Sequence, residues 1–508
     1  MTEHLTTTVL DRSVKGATYN VAVSAVTMVL GLVRSVLLMR YLGPDEFGHV
    51  SLALFFMVFL THLTTLGLDS ALIQQPSLLG RRTLATHLTL RTCLALGVLV
   101  LALLLSPLLR LLYAGQPIVV DVLLVLLLGN LLAATFSTPN AILRRELRFG
   151  PLAVLNLLSS LAMTVGAPLL AFLGAGVWSL VFEQLVGHVV RWIGLWLVVR
   201  PWRPALGLDR QEAKTLLGFG RHVLASQLLG ITLDRFDDFW AGTALGATAL
   251  GYYSRAYEIA GYPARVLATP VTHVFYSTFS ALQDDEAELS KAVSFSSSFL
   301  VRVGFLIAVV LLTVIPEATL ILLGEAWLPI VPVLRLMTVY VVLDPLYINL
   351  SYLAMGLGQP EVLARVRLGQ VLLFVATVVA FARWWGIQGI AVAADLTILG
   401  GVVALLVFGA RYVRLQLFQI VGWPLVALAT AFVVGMGLCL GVQWSSLWLA
   451  LVLKGLGVAL VFGAVLFVAE RRKLLQYGRW AFQALGGSGM WERFKGIGRR
   501  GPERTQIT

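Results

Sequence analysis

The feature that most constrains this chain is a ladder of apolar segments, each about 20 residues long, filling nearly all of residues 14–470. A segment of that length crosses a bilayer as a helix, the one form in which a lone segment satisfies its own backbone polar groups. Clear spans run over roughly 16–40, 47–68, 88–109, 118–136, 153–173, 177–199, 293–315, 331–355, 364–382, 390–409, 418–440 and 447–468. Hydrophobic residues make up 58% of the chain and charged residues 13%, against about 25% charged in a soluble domain. The expected fold class is therefore an all-α polytopic membrane protein with little left over for a soluble domain. No strand alternation recurs at the scale of an outer-membrane barrel.

The net charge of +12 is topological rather than a sign of nucleic-acid binding, because Lys and Arg collect in cytoplasmic loops. With the N-terminus inside, Arg12 and Lys15, Arg81 and Arg82, Arg144, Arg145 and Arg148, then Arg200, Arg203, Arg210 and Lys214 fall on the cytoplasmic side. Arg365, Arg367, Arg411, Arg414 and the basic tail follow them. The opposite loops hold little beyond Arg40, Arg110 and Arg383. Residues 1–13 are polar and no clean cleavage site follows, so the first apolar run reads as a retained span, not a signal peptide. Cys93 and Cys439 lie inside apolar runs and read as small buried hydrophobes, with no disulfide framework.

Residues 218–280 are long enough for two helices but carry Asp234, Arg235, Asp237, Asp238, Arg255, Glu258 and Arg265. An internal repeat resolves the ambiguity. Leu42-Gly43-Pro44-Asp45-Glu46-Phe47-Gly48 is echoed by Leu245-Gly246-Ala247-Thr248-Ala249-Leu250-Gly251, an offset of 245 − 42 = 203. Gly174-Ala175-Gly176-Val177 is echoed by Gly386-Ile387-Gln388-Gly389-Ile390, an offset of 389 − 176 = 213. A duplicated six-helix unit then requires two helices within 218–280 and about 14 spans, the repeats running parallel because six is even. The expected organisation is an N-lobe over 1–205, a C-lobe over 206–415 and two further helices over 416–470. Residues 471–508 are a basic tail, either an amphipathic helix on the anionic leaflet or disordered, with Trp480, Phe482, Trp491 and Phe494 among its Arg and Lys.

Charges at membrane depth mark candidate pathways. Arg34 lies late in the first span, and at offset 203 its counterpart is Asp237. The two either pair, line a cleft with opposite character, or Arg34 snorkels to the interface; its distance from the end of the span favours the cavity. Asp234 and Asp238 share a helix face, and Arg235 can pair with Asp238, as a cation or proton site or as a structural network. Tyr257, Arg255 and Arg265, among further tyrosines, suit a sugar phosphate, since guanidinium groups bind phosphate oxygens bidentately. The alternative is an interfacial aromatic belt, favoured for Tyr252 and Tyr253. Arg302 and Asp344 are isolated charges that contact substrate or pair with each other. Asp69 either anchors the end of the second span or serves function. No Walker loop, Rossmann fingerprint or HExxH motif is present, and the seven histidines lack metal-ligand spacing. The expectation is a non-enzyme without cofactor or metal.

Several strings resemble the polysaccharide flippases (Wzx-type) of the multidrug/oligosaccharidyl-lipid/polysaccharide exporter superfamily, in the branch exporting colanic-acid-like or teichuronic-acid-like units. These are Gly16-Ala17-Thr18, Arg40-Tyr41-Leu42-Gly43-Pro44-Asp45-Glu46-Phe47-Gly48, Leu66-Gly67-Leu68-Asp69-Ser70-Ala71-Leu72-Ile73-Gln74, and Leu233-Asp234 through Leu250-Gly251-Tyr252-Tyr253-Ser254-Arg255-Ala256-Tyr257 to Pro263. The likeness covers about 12–415. Relatives often carry an acid just before the glycine matching Gly67; here Thr65 and Leu66 stand there, which unsettles any role taken over for Asp69. The resemblance implies two six-helix lobes with alternating access, moving an undecaprenyl-diphosphate-linked oligosaccharide outward across the cell membrane for surface polysaccharide biosynthesis. The implied partners are that polyprenyl-diphosphate-linked oligosaccharide, membrane lipids, and the polymerase and glycosyltransferases of the same pathway.

Three alternatives remain. A cation-coupled multidrug exporter of the same superfamily favours carboxylates and aromatics in its cavity, and the arginines argue against it. A membrane enzyme such as a polysaccharide polymerase usually presents its charges on large external loops, and those here look short. A peptidoglycan-precursor flippase differs mainly in the shape of its headgroup pocket.

Overall fold

The structure, a computed structural model, describes residues 23–74, 80–441 and 445–485. All regular secondary structure among these residues is helical. In chain order the α-helices are α1 (Val23–Tyr41), α2 (Pro44–Thr65), α3 (Leu68–Gln74), α4 (Arg81–Leu112), α5 (Ile118–Arg145), α6 (Phe149–Phe172), α7 (Val177–Ile193) and α8 (Arg210–Trp240). They continue with α9 (Ala247–Pro263), α10 (Thr269–Ala281), α11 (Glu286–Leu322), α12 (Ile330–Leu336), α13 (Thr338–Gly356), α14 (Pro360–Gly409), α15 (Leu417–Gly441) and α16 (Leu447–Leu485). Among the described residues, 11 helical stretches are long and apolar enough to cross a membrane. The protein is an all-α, multi-pass membrane protein.

Helix α14 has 50 residues and as a straight rod would reach about 75 Å, more than twice the hydrocarbon core. It is broken at Gly386, whose φ 56° and ψ −134° are not helical. Gly176, just before α7, has φ 56° and ψ −132°. The backbone thus pairs Gly176 with Gly386, an offset of 386 − 176 = 210, not with Gly389 as the string match suggests. A side chain is strained in this left-handed region, and glycine is not.

The polar stretch 218–280 is helical, as the repeat requires, through α8, α9 and α10. None of these is among the 11 apolar stretches: α8 is long enough but polar, and α9 and α10 have only 17 and 13 residues. Asp209 starts α8 by accepting hydrogen bonds from the Gln211 and Glu212 backbone N–H groups at 2.9 and 3.1 Å, an N-cap that satisfies two orphan donors. π-helical turns follow α7 (Gly194–Val199), α8 (Ala241–Leu245) and α9 (Ala264–Ala268).

The chain divides into two compact units. The first holds the described residues of Met1–Tyr262, Ile315–Tyr340 and Pro360–Leu405; the second holds those of Pro263–Val314, Val341–Gln359 and Leu406–Thr508. In the first unit α4 packs along α5, α6 along α7, and α2 against α5, α7 and α8. In the second, α15 packs along α16, and Val309, Ala427, Ala431, Val458, Phe462 and Leu466 form a core. Helix α4 shows the inside-out pattern of a membrane span. It exposes Leu104, Leu111 and Leu112 while burying Thr86, His87 and Arg91, because its outer face meets lipid and its inner face meets polar partners. Cys93 and Cys439 are exposed on helix surfaces, which corrects the reading of both as buried. In a bilayer an apolar helix face needs no protein cover, so an apolar sequence context does not imply burial within the protein.

The 203-residue offset is realised as contact. Ser51 and Ser254 share a hydrogen bond of 3.1 Å, and Thr248 donates to the Asp45 carboxylate. A Cβ at Gly48 would strike the backbone carbonyl of Ala247, and one at Gly251 would strike that of Pro44. Repeat-related positions meet each other in this way only along a local two-fold axis. Helices α2 and α9 lie on either side of that axis, drawn together by small residues.

Helix α16 runs beyond the expected end of its span to Leu485, with a break at Glu470 (φ −138°, ψ 37°). Tyr477 packs on Phe295 and Phe299, and Trp480 on Phe275, Phe295 and Phe299. The start of the tail is thus a helix whose aromatic side faces protein while Arg471 and Arg472 are exposed. Trp491 and Phe494 lie outside the described residues, as does the side chain of Phe482.

Candidate functional site

Four helices of the first unit bring charges together. Arg34 of α1 donates from Nε to Glu183 of α7 at 2.8 Å, with the two side chains 17% and 15% exposed. Arg255 of α9 pairs with Glu258 one turn on, and its guanidinium lies 4.9 Å from the centre of the Phe47 ring, a cation–π contact. Glu183 is also in the field of Arg255 and Glu258. On α8, Arg235 donates to Asp238 at 2.9 Å, and Asp238 in turn feels Arg255. These pairs form one electrostatic network.

Aromatic residues fix its geometry. Buried Tyr253 donates to Asp237 at 2.6 Å, so Tyr253 is a core residue, not part of an interfacial belt. Tyr257 shares a hydrogen bond of 3.1 Å with Tyr340. Phe47 meets Trp327 edge-on at 5.4 Å, and the Trp327 indole N–H donates to the Met39 carbonyl at 2.7 Å. The ring over which Arg255 sits is therefore held by the end of α1.

The expected residues are partly gathered. Arg34, Arg255, Tyr257, Asp237 and Asp238 belong to the first unit's network, but Arg34 pairs with Glu183, while Asp237 accepts from Tyr253. Asp234 is exposed on the same helix. Arg265 is exposed in the π-helical turn after α9, and Asp344 is half-buried in α13; both belong to the second unit. Arg302 is paired with Glu470 rather than Asp344, with both side chains 4% exposed. Its Nε donates to Glu470 at 3.0 Å, and its Nη atoms donate to the Ser298, Gln419 and Ile420 carbonyls. These contacts tie α11 to α15 and to the break in α16.

Asp69 joins a second cluster, built at the left-handed Leu66-Gly67 break between α2 and α3. Its Oδ1 lies 3.2 Å from His87 Nε2 and 3.4 Å from Arg91 Nε. His87 is fully buried and bonds Thr138 at 2.9 Å through Nδ1. Glu183, His87, Arg91 and Glu470 were all missed by sequence reasoning. Glu183 and Arg91 are lone charges inside apolar spans, the same signal that drew attention to Arg34.

Chemically, the first unit's network presents guanidinium groups whose charge is balanced by neighbouring carboxylates. Arg34 Nη1 and Arg255 Nε are buried and make no hydrogen bond among the described residues. Such groups suit a multiply charged oxyanion.

Comparison with known proteins agrees with this architecture. The family model described as "Polysaccharide biosynthesis protein" matches residues 37–332. The succinoglycan biosynthesis transport protein ExoT of Rhizobium meliloti (strain 1021) is 30% identical over 66% of this chain and 68% of its own. The lipopolysaccharide biosynthesis protein WzxC of Escherichia coli (strain K12) is 23% identical over 75% of this chain and 77% of its own. Among solved structures, the lipid II flippase MurJ in an inward closed conformation superposes with a TM-score of 0.71 at 13% identity, over 89% of this chain and 99% of that one; at that identity the likeness speaks for the fold alone. With the match covering more than half its length, this chain belongs to the polysaccharide biosynthesis protein family.

Proposed function

We propose that this protein is a flippase that carries a polyprenyl-diphosphate-linked oligosaccharide from the cytoplasmic to the outer leaflet of the cell (inner) membrane, both termini being cytoplasmic. The observation that carries this reading is the paired-arginine network of Arg34 and Arg255, half-buried among membrane helices in a chain of this family. A glycan and a diphosphate cannot enter hydrocarbon without losing their water, at a cost of several kcal/mol per group. A path lined by guanidinium, carboxylate and tyrosine hydroxyl groups replaces that water while the polyprenyl tail stays in lipid. An inside-negative potential assists outward movement of an anion by about 2.3 kcal/mol per charge per 100 mV.

In this reading the six-helix repeats, 1–205 and 206–415, alternate access to the two sides, 416–470 adds two helices, and the protein works as a transporter rather than an enzyme. The test is to delete the gene and follow the lipid-linked intermediate. The expected result is loss of surface glycan with intermediate trapped on the inner leaflet. Unchanged surface glycan with no trapped intermediate refutes the proposal.

A further inference from the structure

Glu183 stands out once the geometry is known. It is the acid bonded to Arg34, it comes from a different helix, and it also lies in the field of Arg255. Glu258, by contrast, sits on the same helix as the Arg255 it pairs with.

We propose that Glu183 is a resident counter-anion that competes with the diphosphate of the lipid-linked substrate for Arg34, and so sets how readily the site releases its cargo. This rests on the flippase reading above. A half-buried arginine without a counter-charge would hold a diphosphate too firmly for turnover, since a carrier must bind well enough to load and weakly enough to unload. Exchanging the Glu183 carboxylate for a phosphate oxygen keeps Arg34 paired throughout, which avoids leaving a buried charge alone. The exchange is bidirectional: when the diphosphate leaves, Glu183 returns to Arg34. Because Glu183 is on α7 and Arg34 on α1, the same exchange unties and reties those two helices. Loading is thereby coupled to a structural change within the unit.

The test compares wild type, Glu183→Gln, Glu183→Asp and Arg34→Ala, each purified into nanodiscs and checked for monodispersity and wild-type helix content. Undecaprenyl diphosphate is the probe, with inorganic pyrophosphate as a second arm to separate headgroup from lipid contributions. The expected result is about ten-fold tighter binding of both probes to Glu183→Gln, the scale of one partly buried charge interaction. Undecaprenyl diphosphate translocation in vesicles should meanwhile be slower than wild type. Glu183→Asp, which keeps the charge, should bind within about two-fold of wild type. A merely structural role would weaken binding and transport together. Equal or weaker binding by Glu183→Gln, with binding lost in Arg34→Ala, overturns the counter-anion proposal and leaves the flippase reading standing. If wild type binds neither probe, or Arg34→Ala binds as wild type does, the headgroup reading fails and takes this proposal with it.

Discussion

Ser51 and Ser254 share a 3.1 Å hydrogen bond although 203 residues separate them, and that number is the offset of the sequence repeat. Each serine meets its own counterpart, which places the contact on the local two-fold axis between α2 and α9. Replacing both with cysteine should give a disulfide under mild oxidation, seen as a mobility change reversed by reductant, because the two side chains already touch at their ends. Neither single variant should form it. If alternating access separates α2 from α9, export should stop in the oxidised double variant and recover on reduction.

The glycines beside this contact have no room for a side chain. Gly48→Val or Gly251→Val places carbon against the backbone carbonyl of Ala247 or Pro44. Backbone cannot step aside as a flexible side chain does, so the loss should be at least about 1–3 kcal/mol. Thermal unfolding in detergent and the level of membrane-inserted protein check this. Gly31→Ala, where nothing lies within 4 Å of an added Cβ, is the control and should behave as wild type.

Arg302 should prove structural. Arg302→Ala leaves Glu470 buried without its main counter-charge, and breaking a buried pair costs about 3–5 kcal/mol. The double change Arg302→Met with Glu470→Leu removes both charges and should recover most of that stability. Thermal unfolding of the three proteins decides the matter. Diphosphate affinity, measured on the double variant, should equal that of wild type.

Asp69→Ala should be milder than Arg302→Ala. It strips Arg91 and His87 of the carboxylate that lies beside both, but the Asp69 side chain is 41% exposed, so water can take over part of the role. The expected loss is about 1–3 kcal/mol, read from unfolding temperature. Asp69→Asn, which keeps an acceptor oxygen, should fall between that variant and wild type.

Gly386→Ala tests the break in α14. Alanine is strained at φ 56°, and the expected destabilisation is about 1 kcal/mol or somewhat more. Gly389→Ala is expected to be destabilising for a different reason, since its Cβ would strike the Phe381 carbonyl. The two differ in cause: the backbone at Gly386 (ψ −134°) lies outside the αL region that asparagine tolerates, so Gly386→Asn should be no better than Gly386→Ala.

Much of the fold is legible in the sequence, and the site much less so. The apolar ladder shows through because the bilayer imposes a length and polarity rule on each span separately, and the repeat shows where α8 and α9 must fall despite their charges. Arg34 could be found as an unusual charge, yet its partner could not. Asp237 matches it in register but Glu183 meets it in space, because register fixes equivalence under the repeat and not which helix face turns toward which neighbour. The same limit applies to Arg302, where Asp344 was the nearer candidate along the chain and Glu470, 168 residues away, is the one in contact.

The sequence by itself therefore determined the class of protein: an all-helical membrane protein with an internal duplication and a few expensive charges in its spans. These properties arise from the preference of each segment for lipid or water and need no knowledge of its neighbours. The tertiary structure decided what the charges do. It alone ties Arg302 into a helix clamp, seats Asp69 beside His87 and Arg91, and sets Arg34 against Glu183. A charge in a low-dielectric interior interacts strongly with its neighbours and is costly to leave unpaired, so the role of a buried charge is settled by which opposite charge the packing brings beside it.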